Sequence, residues 1–188
     1  MLPGRVFTMA GERYLYLEDM GNGNHMIIRH DSIRNTSQTD QPQVLSNWFS
    51  GLDAEVQAMV QPVSIPAVVP HVHWSFIESW EGGVRWIPAG WATNPLFDEV
   101  RADRTAVNSS GTPQAFALSM ADVGHLSTET GPFPNHAQRV AANISWWWTR
   151  TPSWLIHWGG AIGELHGDFG GDHVSSPGGN RPAIIIHQ

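Results

Sequence analysis

The run His166-Gly-Asp-Phe-Gly-Gly-Asp-His173 places two imidazoles and two carboxylates within one short stretch. Those are the side chains that hold zinc or calcium, and His71 and His73 are further ligands of the same type. The spacing matches neither an H-E-x-x-H helix nor an EF-hand loop. The expectation is therefore a display loop facing solvent, with no metal and no cofactor. Just upstream, SWWWTRTPSWLIHWGG carries five of the chain's ten tryptophans. Indole is neither acid, base nor nucleophile; what it offers is rigid area for recognition. Trp154 and Trp158 lie beyond Pro152 and are expected as exposed anchors. Together with Ile156, His157, His166, Asp168, Phe169, Asp172 and His173 they form the predicted ligand-binding set, on a loop face spanning residues 154–174.

The groups that catalysis needs are poorly represented. There is no cysteine, which excludes thiol nucleophiles, thiolate metal sites and disulfides. No G-x-S-x-G elbow exposes a serine, and no glycine-rich phosphate loop occurs. Asp168 and Asp172 lack the apolar neighbours that would separate their pKa values. The expectation is a protein without enzymatic activity, whose catalytic set is empty. A metal-dependent hydrolase built on the His/Asp run is the weaker alternative.

Other residues of these motifs read as structural. In a strand, alternate side chains of Trp146-Trp147-Trp148 point to opposite faces, so Trp147 is expected in the core, away from its neighbours. Arg150 and Arg181 flank the variable segment. They either clamp a ligand with a guanidinium fork or hold loop carbonyls and a buried carboxylate, and the second role is the expected one.

These side chains must be carried by a chain of 188 residues, enough for one domain with a full core over residues 1–188. All ten basic residues are arginine against 17 acids, a net charge of −7. With no basic run, this argues against nucleic acid or an anionic membrane as partner. No apolar stretch reaches the roughly 20 residues that span a bilayer, so no membrane insertion is expected. The first residues lack the basic-then-apolar order of a signal peptide.

RYLYLE and HMIIRH read as two strands joined by DMGNGN, a turn that tolerates positive φ. After Asp40 the apolar residues Leu45, Trp48, Phe49, Leu52, Val56 and Met59 recur at helical spacing, predicting one helix over 45–60 that stops at Pro62. Residues 63–103, rich in proline and tryptophan, read as an irregular excursion. AFAL (115–118) reads as a strand running into a helix capped by Ser119 with Asp122. Closing strands are expected over 144–149, 161–165 and 182–186. The sum is an α+β protein.

The order of these segments resembles an uncharacterised bacterial and phage domain family. Its members read W-W-x-R-[ST]-P and later G-x-R-P-A, matched here by Trp147, Trp148, Arg150, Thr151 and Pro152, then Gly179, Arg181, Pro182 and Ala183. Phe116, Leu118 and Ser119 match its F-x-L-S segment. The resemblance implies a C-type-lectin-like fold: short twisted antiparallel sheets, one or two helices and long irregular loops. It is shared with retroelement variable proteins and phage receptor-binding tips. It implies a receptor-binding or adhesion module, a homo-oligomer or part of a larger assembly, located on a virion or extracellular surface. The ligand would be a glycan or a surface protein, with Trp154 or Trp158 as stacking platform and His157, His166 and Asp168 bonding hydroxyls. The alternative within that context is a virion decoration or fibre subunit. If a retroelement diversifies the gene through Asn-type codons, Ile156, His157, His166, Asp168, Phe169, Asp172 and His173 are the variable positions. Trp154, Trp158 and Glu164 are then fixed.

Overall fold

Two tight hairpins start the chain. Strand β1 (Val6–Met9) turns through Ala10 and Gly11 into β2 (Glu12–Gly21), which turns through Asn22 and Gly23 into β3 (Asn24–Arg29). All four turn residues have positive φ, from 48° at Ala10 to 80° at Gly11. Such backbone matches the right-handed twist of paired strands, and Asn-Gly adopts it at least cost. Strand β12 (Ala183–His187) adds to β3 and completes a four-stranded antiparallel sheet in the order β1-β2-β3-β12. The computed structural model describes residues 1–65, 102–152, 158–163 and 169–188, with only the backbone given for His136, Trp158, Phe169 and Gly171.

Both faces of this sheet are covered. Tyr14, Tyr16, Ile27, Ile184 and Ile186 pack with Leu45 of helix α1 (Gln41–Ser50) and Val56 of helix α2 (Ala54–Met59). On the opposite face Leu15, Leu17, Met26, Ile28 and Ile185 pack with Val123 and Leu126 of helix α3 (Met120–Leu126), and with Phe133 and Trp147. A strand buried on both sides has no use for polar alternation, hence the unbroken AIII of β12. A short helix α4 (His136–Arg139) follows α3.

A second sheet has the order β10-β9-β8-β11-β4. Its strands are β4 (Ile33–Thr36), β8 (Trp147–Pro152), β9 (Trp158–Ile162), β10 (Phe169–His173) and β11 (Gly178–Asn180). A third, smaller sheet joins β5 (Pro62–Ser64) to β6 (Ala106–Val107) and β7 (Thr112–Pro113). All pairings are antiparallel except β11 with β8. The architecture is α+β, with several small sheets and few helices among the described residues.

Several segments differ from the sequence reading. The helix expected over 45–60 is two. Gly51 ends α1 by donating its N–H to Asn47 and Trp48. Asp53 then adopts extended backbone and caps α2, accepting from the Glu55 N–H at 2.8 Å. A side chain offering the backbone this alternative ends one helix and starts another. Leu45 and Val56 still reach one cluster, so the apolar stripe survives the break. AFAL makes a single bridge, Phe116 with Ala183, because other groups engage its remaining carbonyls: Arg150 takes Ala117 O and Leu118 O. The excursion expected over 63–103 has ordered ends, with Val63 in β5 and Asp103 buried; residues 66–101 lie outside the described residues. Edge strands β1 and β4 carry too little apolar pattern to be read from sequence. The capping box at Ser119 and Asp122 forms as expected.

Candidate functional site

The stretch Trp147–Pro152 is a strand with a bulge. Trp147 pairs with Ile162 and Trp148 with Ala161, yet Pro152 pairs with Gly159. Thr149, Arg150 and Thr151 therefore stand opposite Gly160 alone. Trp147 is fully buried, and its Nε1 donates to Arg139 O at 2.8 Å. Trp146 and Trp148 meet on the other face, ring centroids 4.7 Å apart. The bulge frees carbonyls that a regular ladder would engage, and Gln38 Nε2 takes two of them, Thr149 O at 2.8 Å and Thr151 O at 3.3 Å. An added Cβ at Gly159 would run into the Gln38 amide and push it off these carbonyls.

A bulge also re-aims a side chain. Arg150 points between two carboxylates, Asp103 at 2.8 Å and Asp122 at 3.0 Å, and donates further to Thr105 Oγ1, Ala117 O and Asp103 O. Its side chain is 11% exposed, and those of Asp103 and Asp122 are 5% and 1%. Asp122 serves the network and the helix together, also accepting from Ser119 N and from both the N–H and hydroxyl of Thr105. Burial pushes the Asp103 carboxyl above its ordinary pKa; the Arg150 guanidinium pulls it back, and Asp122 adds to the rise. Every donor of Arg150 is committed, so its fork holds the scaffold.

Arg181 is equally enclosed. Its Nε donates to Arg29 O at 2.8 Å and its Nη1 to Arg139 O at 3.3 Å, while the guanidinium lies 5.6 Å from the Trp147 ring centroid. Burial lowers its pKa to about 10. Carbonyl oxygens and an indole face share the charge. Beside it, Asn180 is buried and joins three elements: Nδ2 donates to Thr36 Oγ1 and Ser37 O, and Oδ1 accepts from Gln41 Nε2 at 2.7 Å.

Within the segment expected as a loop face with one strand over 161–165, β9 and β10 pair through five residues in unbroken register, Phe169 with Ile162 to His173 with Trp158. Glycine at 160 lets β9 lie close against β8, where an added Cβ would stand 2.7 Å from Thr151 O, whereas Gly170 on β10 has open space around it. Of the predicted ligand set, Asp172 and His173 end this ladder, and Asp172 Oδ1 accepts from the His173 N–H. His173 Nδ1 lies 2.7 Å from Ser175 Oγ. Trp158 and Phe169 are placed in the strands by their backbone. Trp154, Ile156, His157, His166 and Asp168 lie outside the described residues, as do His71, His73 and Glu164. Among the described residues no three His, Asp or Glu side chains converge as metal ligands.

A half-open cavity of about 660 Å³ lies between α1 and residues 112–117. Leu45 and Phe49 form one wall, Pro113, Ala115 and Ala117 the other, and Arg150 and Asp103 contribute to the lining. Sequence reasoning missed it, along with Gln38, Gln41, Asp103 and Asn180, because their roles depend on segments far apart in the chain. Asp122 alone had a local signal, its place three residues after Ser119. Comparison of the chain with protein-family models, curated proteins and solved structures finds no match.

Proposed function

We propose that this chain is a surface-recognition module of C-type-lectin-like fold, presenting the 154–174 segment to a glycan or surface protein. The observation that carries this reading is a division of labour. The charged residues of the two motifs, Arg150 and Arg181, are spent on buried scaffold contacts with Asp103, Asp122 and main-chain carbonyls. The charged and polar groups at the end of the β9–β10 ladder, Asp172, His173 and Ser175, are instead at least partly exposed. Function on a rigid scaffold resides in such segments. Net charge of −7 favours a neutral or basic ligand surface over nucleic acid. The setting we propose is the receptor-binding or adhesion tip of a phage or cell-surface assembly. The test is a glycan array together with binding to intact bacterial cells, using the folded protein and an Asp172→Ala/His173→Ala variant. Retention of the wild type and at least tenfold weaker retention of the variant are expected. A folded wild type that binds neither surface would sink the proposal.

A second reading, an assembly subunit of a fibre or virion coat, has its own support. Strand β10 is the outer strand of its sheet among the described residues, and a regular, proline-free edge can accept a strand from another chain. Light scattering decides for it if the protein forms a stable trimer or larger complex that replacing Gly170 with Lys dissolves.

A further inference from the structure

We infer that the cavity between α1 and residues 112–117 is a separate binding site for a neutral, ring-bearing small molecule that carries one hydrogen-bond donor. At about 660 Å³ the cavity falls within the range of small-molecule sites. Leu45, Phe49, Pro113 and Ala115 supply apolar walls suited to a ring. The two charged side chains that line it, Arg150 and Asp103, are paired with each other at 2.8 Å. A charged ligand would meet no uncommitted opposite charge there, and burying an unpaired charge is strongly unfavourable.

Gln41 sets the polar requirement. It lines the cavity and is only 6% exposed. Its amide orientation follows from the neighbouring bonds. Ser37 O can only accept, so Asn180 turns Nδ2 toward it and offers Oδ1 to Gln41. Gln41 must answer with Nε2, and its Oε1 is left without a donor among the described residues. That oxygen is not among the fully buried atoms left without a partner, so it keeps contact with the water of the half-open cavity. A ligand hydroxyl or ring N–H placed against Leu45 and Phe49 would take the place of that water. The inference is independent of the recognition role assigned to the 154–174 segment, since the cavity walls come mainly from α1 and the 112–117 segment.

The test uses the full chain and four probes in saturation-transfer NMR titrations. Phenol and indole carry a ring and a donor, toluene has no donor, and benzoate is charged. Phenol and indole are expected to compete for one site with dissociation constants of about 1 mM, and toluene and benzoate to bind several-fold more weakly. Ser46 is an exposed residue lining the cavity on α1, so Ser46→Trp should fold normally and weaken phenol binding about tenfold. Gln41→Met should erase the preference for phenol over toluene. The idea is overturned if neither phenol nor indole binds at about 10 mM. It is equally overturned if Ser46→Trp leaves their binding unchanged, or if benzoate binds best.

Discussion

Replacing Arg150 with Met probes the scaffold most directly. Methionine fills the space of the arginine stem, so the change removes charge and hydrogen bonds while leaving little cavity. Two carboxylates lose their shared cation, and their side chains are only 5% and 1% exposed. Thr105 Oγ1, Ala117 O and Asp103 O each lose a donor as well. Removing one partner of a buried ion pair costs about 3–5 kcal/mol, against about 5–15 kcal/mol for the stability of a whole domain. Urea denaturation followed by tryptophan fluorescence should therefore show Arg150→Met losing about 3–5 kcal/mol. The double-mutant cycle sharpens the claim. Asp103→Asn should destabilise the wild type, yet cost much less in the Arg150→Met background, where it removes a stranded charge. Arg150→Lys should not rescue, because an ammonium cannot reach both carboxylates and Ala117 O in one plane. A loss below about 1 kcal/mol, or strict additivity in the cycle, would show that the guanidinium is solvated and the reasoning wrong.

Trp147→Ala should cost about 3–5 kcal/mol, with Trp147→Phe retaining most of the stability, as read from thermal unfolding; an unchanged melting temperature for Trp147→Ala would place the ring outside the core. Gly160→Ala should cost about 1–3 kcal/mol, since its Cβ would stand 2.7 Å from Thr151 O and 2.9 Å from Met120 Cε, whereas Gly170→Ala, with open space around it, should cost less than about 1 kcal/mol. Asp103 carries a pH signature. Its folded pKa is raised above the ordinary 3.8, so the folded state takes up the proton first as pH falls. Its contribution to unfolding free energy thus rises on acidification through that window and is lost above it. The stability difference between wild type and Asp103→Asn should shift in favour of the wild type from about pH 7 to about pH 4; a shift the other way would mean that pairing with Arg150 outweighs burial.

Local chemistry was legible in the sequence wherever one short segment decides the outcome. The Asn-Gly turn joining β2 to β3, the Ser119–Asp122 capping box, the apolar stripe through Leu45 and Val56, and the opposed faces of Trp147 and Trp148 follow from rules spanning a few residues. The break at Gly51 and Asp53 also had a local signal, but the continuing apolar period hid it. The sequence likewise placed Arg150 and Arg181 as candidates for holding a loop, without naming what they hold. Tertiary structure alone decided that Arg150 meets Asp103 and Asp122, 47 and 28 residues away. It alone placed Gln38 on carbonyls released by a bulge 111 and 113 residues along the chain. It also paired β9, which overlaps the strand expected over 161–165, with β10 in a run that reads as loop. The physical reason is the same in each case. A turn, a cap or a helical stripe is satisfied by neighbours in the chain, whereas a buried charge or a freed carbonyl is satisfied by whichever group the fold brings near. No spacing in the sequence encodes that meeting.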